Sequence, residues 1–169
     1  QTPKGLLDGL EAYPITSGAQ LQMKLAELQP YADVIAMTSA VTDIKIRGGA
    51  KIEKLEKKTL LKSLETELEE VPDLLQQIAS QRPKGQTILG FAALTGDDKK
   101  IKQIGEAKRQ KKGCDLLMAN PIDRPGQGLD EDLNGGWLLA DGGKILEIPV
   151  KSKLALAHQL LDAIHELRN

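Results

Sequence analysis

Apolar residues recur at two different spacings in the first part of the chain. The leucines of residues 19–28 fall at helical spacing behind the capping residue Ser17, so we predict a helix there, ended by Pro30. Residues 32–41 then form an unbroken apolar run that is rich in small and β-branched side chains. Such a run is typical of a strand that is buried on both faces of a parallel sheet.

The same alternation repeats twice further along the chain. Pro72 opens a predicted helix over residues 73–80, which leads to a short apolar run at residues 87–93. A third predicted helix, over residues 97–112, leads to a third buried-strand candidate at residues 114–119. Helices that alternate with buried strands predict βαβ units, and therefore an α/β fold with a Rossmann-like, doubly wound and mostly parallel sheet.

The last third of the chain has a different pattern. Residues 137–140 and 144–148 are apolar runs that flank the glycine-rich turn at residues 141–143, which predicts a β-hairpin. Residues 152–167 carry an apolar stripe at helical spacing and predict a closing helix. We therefore expect one domain over residues 1–169, with a C-terminal β-hairpin and a closing helix added to the sheet.

One segment fits two structures. Residues 44–71 are rich in Lys, Arg and Glu. By period alone, residues 51–70 would form an exposed amphipathic helix, but the same residues would equally suit a flap with a pair of strands. The pattern leaves both alternatives open.

Composition narrows the class of protein. Aromatic residues make up only 2% of the chain and the net charge is −1, which argues against a base-stacking platform and against general attraction to nucleic acid or membrane lipid. Cys114 is the single cysteine, so the chain has no internal disulfide, and a reducing, cytoplasmic location is expected. The N-terminal residues resemble no signal peptide.

Polar side chains follow each of the three predicted parallel strands. In open α/β sheets, ligands bind beyond the carboxyl ends of the strands, so residues 39–43, 91–95 and 120–123 are expected to line one crevice. Asp43 would hold ribose hydroxyls or a metal-bound phosphate there, or it would simply cap a turn. Phe91 would pack against a base or ribose, or belong to the core.

Basic and capping residues offer a weaker signal for phosphate binding. Lys108 and Lys112 stand four apart on one predicted helix, where they would grip a polyphosphate or merely complement the helix dipole. Asp73 follows Pro72 at a helix start, where free N–H groups attract phosphate and where an acidic cap is also ordinary. Lys54 lies in the charged segment 44–71, where most lysines are expected to be exposed to solvent.

Six segments, in order over roughly residues 10–168, resemble those of bacterial phosphopantothenate–cysteine ligases. Residues 39–43 resemble the family's "AAVAD" segment, and residues 90–95 resemble "GFAAET". The other four segments are residues 53–58 ("EKIKK"), 64–73 (a strand and an "NPD" turn), 107–120 ("AxxKxxxK" to "DLIxAN") and 128–134 ("GFGSDxN"). The resemblance implies that residues 44–71 are a flap and strand insertion.

The resemblance also implies a function in coenzyme A biosynthesis. Family members join 4′-phosphopantothenate to cysteine, using CTP and Mg²⁺ and passing through an acyl-cytidylate. It implies a homodimer, and a fused decarboxylase domain in many bacteria. FMN would be bound only in that other domain.

Individual residues of this chain match the family's functional positions. Lys54 matches the catalytic flap lysine, and Ala40 matches a substrate-binding position. The nucleotide-binding positions are matched by Met37, Thr38, Ser39, Asp43, Pro72, Asp73, Leu74, Leu75, Phe91, Lys108 and Lys112.

One family segment has no match in this chain. Residues 1–16 contain nothing like the "SNxSSGxMG" segment, whose Asn stabilises the acyl-cytidylate. The expectation is therefore a ligase domain without its first strand, loop and helix, which carries the nucleotide-facing part and is inactive by itself. The alternative is a non-catalytic nucleotide-binding or interaction domain on the same scaffold.

Overall fold

The computed structural model of the chain describes residues 8–39, 44–46, 68–70, 72–128 and 131–169. Elements are numbered through these residues. The helices are α1 (Gly18–Leu28), α2 (Leu74–Ser80), α3 (Asp98–Lys112) and α4 (Lys153–Arg168). The strands are β1 (Val34–Met37), β2 (Ile44–Ile46), β3 (Leu68–Glu70), β4 (Thr87–Leu94), β5 (Leu116–Pro121), β6 (Leu133–Ala140) and β7 (Ile145–Ser152).

The described strands form a mixed five-stranded sheet in the order β1-β4-β5-β6-β7. β1, β4 and β5 run parallel, and β6 and β7 are antiparallel to their neighbours. The hairpin of β6 and β7 is longer than the one predicted from residues 137–148, and α4 closes the chain. The predicted α/β fold with a C-terminal hairpin and a closing helix is confirmed.

Apolar side chains cover both faces of this sheet. On one face, α2 and α3 contribute Leu75 and Ile101 to a core that includes Leu117 of β5. On the other face, the α4 residues Leu156, Leu160 and Ile164 pack against alternate residues of the strands, such as Leu89 and Met118. This alternation assigns each strand residue to the α3 face or to the α4 face.

The first predicted strand is shorter and less buried than its sequence indicates. β1 covers only residues 34–37, and its burial rises from half-buried Val34 to buried Met37, with Ala36 exposed. The prediction of a strand buried on both faces is wrong here, because β1 is the edge of the described sheet and has a neighbour only on the β4 side.

The two ends of the charged segment are paired as strands. β2 and β3 are antiparallel, and Ile44 lies opposite Glu70. The alternative of a helix over residues 51–70 is therefore wrong for residues 68–70. The flap itself lies in residues 47–67, outside the described residues, and stays a prediction.

A buried arginine ties the end of α3 to the end of β6. The side chain of Arg109 is 8% exposed and donates to Glu106, to the Cys114 carbonyl oxygen and to the Asp141 carboxylate, at 2.9 to 3.2 Å. The hydrogen bond from Arg109 lowers the pKa of Glu106 below its ordinary value. This contact therefore stabilises the fold at neutral pH, and its contribution is lost as the pH falls through that lowered pKa.

Gly136 makes the closest approach between β6 and β5. Its φ is +138°, and a Cβ there would lie 2.2 Å from the Ala119 carbonyl oxygen. Gly142, in the hairpin turn, also has a positive φ of +69°, but a Cβ there would meet nothing within 4 Å. Substituting alanine at each glycine would therefore distinguish two contributions to the loss of stability: the strained backbone conformation, which both share, and the steric clash, which only Gly136 has.

We predict that Gly136→Ala lowers the free energy of unfolding by about 3 kcal/mol or more, since strain and overpacking add. Gly142→Ala should cost only about 1 kcal/mol, because it carries the conformational cost alone. Urea unfolding of both variants measures the difference. Equal losses would show that β5 and β6 separate easily at this point.

Candidate functional site

The carboxyl edge of the sheet is stepped. Met37, the last residue of β1, lies opposite Gly90, and β4 continues for four more residues to Leu94. Thr38 and Ser39 follow β1 and are exposed, and the Ser39 hydroxyl lies 3.3 Å from the Met37 sulfur. The step therefore leaves the end of β4 open on the β1 side, over the part of the chain that the structure describes.

The ends of β4 and β5 are joined at this edge. The Ile122 N–H donates to the Leu94 carbonyl oxygen at 3.0 Å, and the Gly96 N–H donates to the Asp123 carboxylate at 2.8 Å. Two of the three segments expected to line a crevice are thus adjacent. The third, residues 39–43, begins here with Ser39, and its other residues lie outside the described residues.

Phe91 lies on the α4 face of this edge. Its half-buried ring packs against the core that α4 covers. Asn120 of β5 is opposite Ala93 in the strand pairing and shares the α4 face with Phe91. Phe91 and Asn120 therefore lie on the same face of the sheet, near the carboxyl ends of β4 and β5.

A second group of candidate residues lies where α2 begins and α3 ends. Lys112 forms an ion pair with Asp73, and both side chains are a little under a third exposed. Asp73 also caps α2 by accepting from the Gln76 N–H at 3.1 Å. Lys108 lies one turn earlier on α3, is exposed, and has no partner among the described residues.

The two groups lie on different faces of the sheet. Lys112 and Asp73 are on the α3 face, while Phe91 is on the α4 face. Leu75, two residues after Asp73, packs over Gly90, which lies opposite Met37 at the end of β1. The structure therefore brings Asp73 and Lys112 together, on the face of the sheet opposite to Phe91.

Leu74 and Leu75 are core residues. They are 5% and 9% exposed, and Leu75 packs over Gly90, where a Cβ would lie 2.8 Å from its Cδ2. Their side chains are therefore closed to a ligand. The first N–H groups of a helix lack helical acceptors, so Leu74 and Leu75 offer a ligand only their backbone N–H groups, and Pro72 has no N–H to donate.

Three of the candidate residues, Ala40, Asp43 and Lys54, lie outside the described residues. Within the described ranges, no three His, Cys, Asp or Glu side chains come together as a metal site. Mg²⁺ is usually held by one or two carboxylates together with the phosphates of the substrate, so a nucleotide-bound Mg²⁺ needs no such cluster.

Cys114 is buried beneath α2, at 2% exposure. Burial raises the pKa of its thiol above the ordinary value. Its thiol is therefore protonated at neutral pH and serves as a core side chain.

The sequence places the buried Asn120 in the segment expected to line the crevice, residues 120–123, but it gives no role to the buried residues Gln127 and Asn134. Asn120, Gln127 and Asn134 are 5%, 5% and 8% exposed. Trp137 is also buried, and the cations of Lys102 and Arg124 lie 5.1 and 5.4 Å from its ring centre. Asn120 could be singled out from the sequence because it directly follows the buried apolar run of residues 114–119.

No helix among the described residues has the length and apolar character needed to cross a membrane.

Two relatives of known name are similar to most of the chain. The coenzyme A biosynthesis bifunctional protein CoaBC of Mycobacterium tuberculosis H37Rv is 34% identical over 171 residues, covering 95% of this chain and 40% of that protein. CoaBC of Bacillus subtilis is 29% identical over 167 residues, covering 98% of this chain and 38% of that protein. The chain thus spans about two fifths of the length of these relatives.

Solved structures share the fold. The C-terminal domain of a CoaBC protein matches with a TM-score of 0.69 at 21% identity, covering 94% of this chain and 68% of that one. The DNA/pantothenate metabolism flavoprotein from Streptococcus pneumoniae matches with a TM-score of 0.71 at 17% identity, covering 95% of this chain and 72% of that one.

The sequence model of one family matches nearly the whole chain, over residues 2–167. This range includes all six segments on which the resemblance described above rests, from residues 39–43 to residues 128–134. The chain belongs to the family of the DNA/pantothenate metabolism flavoprotein C-terminal domain.

Proposed function

We propose that this chain is the nucleotide-facing part of a phosphopantothenate–cysteine ligase in coenzyme A biosynthesis. The match of the family over residues 2–167 carries the proposal. The named function of the relatives, coenzyme A biosynthesis, supports it. The working protein is proposed to be a cytoplasmic homodimer that includes further residues and a decarboxylase domain; the relatives are longer and are named bifunctional, which supports a second domain.

The proposed reaction has two steps. A carboxylate oxygen of 4′-phosphopantothenate attacks the α-phosphorus of CTP, the bond between the α- and β-phosphates breaks, and pyrophosphate leaves. The amine of cysteine then attacks the acyl carbon, an amide bond forms, and CMP leaves. Negative charge accumulates in the first step, so cations near the phosphates lower its barrier. Mg²⁺ bound to the phosphates would supply part of that charge neutralisation.

In the proposed complex, different residues of this chain contact the phosphates, the nucleoside and the reacting group. Lys108 and Lys112 offer two positive charges on one helical face, next to the backbone N–H groups at the start of α2. Phe91 and the exposed Thr38 and Ser39 offer contacts for the nucleoside at the stepped edge. Lys54, Asp43 and Ala40 remain proposals by resemblance, with Lys54 closing over the reacting phosphate on the flap.

The two groups of candidate residues require a nucleotide that spans them or a flap that links them. The separation of Lys112 from Phe91 therefore makes the lysines the sharper test of where the triphosphate lies.

The first test is turnover by the full-length protein that contains this chain. Purified protein is expected to release pyrophosphate from CTP only when 4′-phosphopantothenate is present, and to consume cysteine afterwards. Absence of turnover with either CTP or ATP would refute the ligase proposal. Nucleotide binding without any turnover would instead favour a non-catalytic nucleotide-binding domain.

We predict that Lys108→Ala with Lys112→Ala weakens CTP binding at least tenfold, because about 1 kcal/mol is lost for each charge-assisted contact. Lys99→Ala is the matched control, since Lys99 lies on the same helix about two and a half turns before Lys108 and so on the opposite face. Titration calorimetry measures both. Unchanged affinity in the double variant would show that the triphosphate binds elsewhere.

Asp73 competes with the proposed phosphate for Lys112. Asp73→Asn keeps a capping side chain for α2 but removes the negative charge, so we predict that CTP binds about threefold more tightly. The free energy of unfolding should change by less than about 1 kcal/mol, because this ion pair is partly exposed. Asp98→Asn, which removes one charge at the other end of α3, is the control. Weaker CTP binding in Asp73→Asn would mean that Asp73 holds Lys112 in place for the nucleotide.

A further inference from the structure

The loop that follows β5 is tied to the start of α3 by more than the two hydrogen bonds described above. Arg124, the residue after Asp123, forms an ion pair with Asp98, which lies in the first turn of α3. Each of the residues 122–124 thus contacts the segment 94–98. The loop is therefore fastened along its first three residues.

Arg124 also lies against the indole ring of Trp137, in β6. Its guanidinium carbon is 5.4 Å from the ring centre, and the ammonium nitrogen of Lys102, in α3, is 5.1 Å from the same centre. Cations at such distances are attracted by the negative face of an aromatic ring. The one ring therefore joins the loop after β5, helix α3 and strand β6.

The N–H group of Trp137 makes no use of its position. Trp137 is 3% exposed, and its fully enclosed indole nitrogen has no hydrogen-bond partner among the described residues. A buried tryptophan usually finds a partner for this group, and a purely apolar side chain would avoid the cost of leaving it unpaired. What tryptophan offers here is the face of its ring, because indole attracts cations better than the other aromatic side chains do.

The two contacts of Arg124 differ in their surroundings. The side chains of Arg124 and Asp98 are 38% and 60% exposed, and an ion pair this exposed contributes little. An amide oxygen at position 98 would also still accept from Arg124. The ring of Trp137 is buried and shields one side of the guanidinium from water, which strengthens a cation–π contact. Trp137 therefore anchors Arg124, and Asp98 directs it toward α3.

The fastened segments belong to the crevice expected at the carboxyl edge of the sheet. Residues 91–95 and 120–123 are two of the three segments that should line it, and Arg124 follows the second directly. Trp137 packs in the core on the α3 face, whereas Phe91 lies on the α4 face. Arg124 thus acts on a ligand near Phe91 through the backbone at the strand ends.

We propose that Arg124 is a positioning residue for nucleotide binding, which holds the ends of β4 and β5 together through Trp137 and Asp98. The identity of the ligand rests on the proposed function. With the loop released, only a fraction of the molecules would have the crevice in its binding form, and the apparent affinity falls by that fraction. Saturating nucleotide restores the binding form, so kcat is kept.

The test compares Arg124→Ala with Arg82→Ala in the full-length protein. Arg82 is the matched control, because its side chain is 34% exposed and pairs with Asp115 at the amino edge of the sheet. An exposed ion pair and a cation–π contact together shift an equilibrium about tenfold. In ligand-free Arg124→Ala, amide hydrogen exchange at Gly96 and Ile122 should quicken about tenfold. The KM for CTP should rise about threefold to tenfold, with kcat within about twofold, and Arg82→Ala should change none of these values.

Arg124→Lys tests whether the positive charge is responsible. A lysine keeps a cation for the Trp137 ring and for Asp98, so amide exchange and the KM for CTP should both return toward the wild-type values. Recovery of neither value would overturn the cation contact as the cause.

Three further results would overturn the assignment. Unchanged amide exchange in Arg124→Ala would show that the loop is held without this side chain. Faster exchange with an unchanged KM for CTP would make the contact purely structural. A kcat that falls more than tenfold at saturating CTP would place Arg124 among the groups that contact the reacting atoms.

Failure of the ligase proposal is distinguishable from failure of this one. Absence of pyrophosphate release by the wild-type protein refutes the ligase, whereas amide exchange in the ligand-free variants decides whether Arg124 holds the loop. Calorimetry with CTP then replaces KM. Weaker CTP binding in Arg124→Ala would support the positioning role even in a protein without turnover, and no CTP binding to the wild type would overturn it.

Discussion

The parallel pairing of β4 with β5 is the contact on which the rest of the described structure depends. Both strands are central in the sheet, and side chains such as Ile88 and Met118 are fully enclosed. Every other layer uses this pair as its support: β1 and β6 extend it, while α3 and α4 cover its two faces. Burial of these apolar side chains is the main source of stability for such a layered fold.

The same pairing creates the candidate site. β4 and β5 end together and are tied by hydrogen bonds at Leu94 and Gly96, whereas β1 ends four residues short of β4. The step between them exposes the end of β4, which includes Phe91 and Ala93. The candidate binding residues thus lie where a short strand and a long strand end at different levels. This position agrees with the general rule that ligands of open α/β sheets bind beyond the carboxyl ends of the strands.

Polar groups in this domain follow a division between its two ends. Near the amino edge, Gln86, Gln29 and Arg168 tie the loops and the last helix together through hydrogen bonds. Near the carboxyl edge, by contrast, the fully enclosed Oε1 of Gln127 has no hydrogen-bond partner among the described residues.

Apolar periodicity, together with caps and turn residues, predicted the four helices, the presence of the three parallel strands and the hairpin, because an apolar stripe has to be buried against another element. Ser17, Asp73 and Asp97 cap α1, α2 and α3 as their local chemistry predicts. The ordered motifs determined the family. Only the tertiary structure decided that β1 is an edge of the described sheet, that Asp73 pairs with Lys112, and that Phe91 lies on the opposite face from both. Those facts depend on which strands become neighbours and which residues far apart in the sequence come into contact. The local pattern of apolar and polar residues does not determine either.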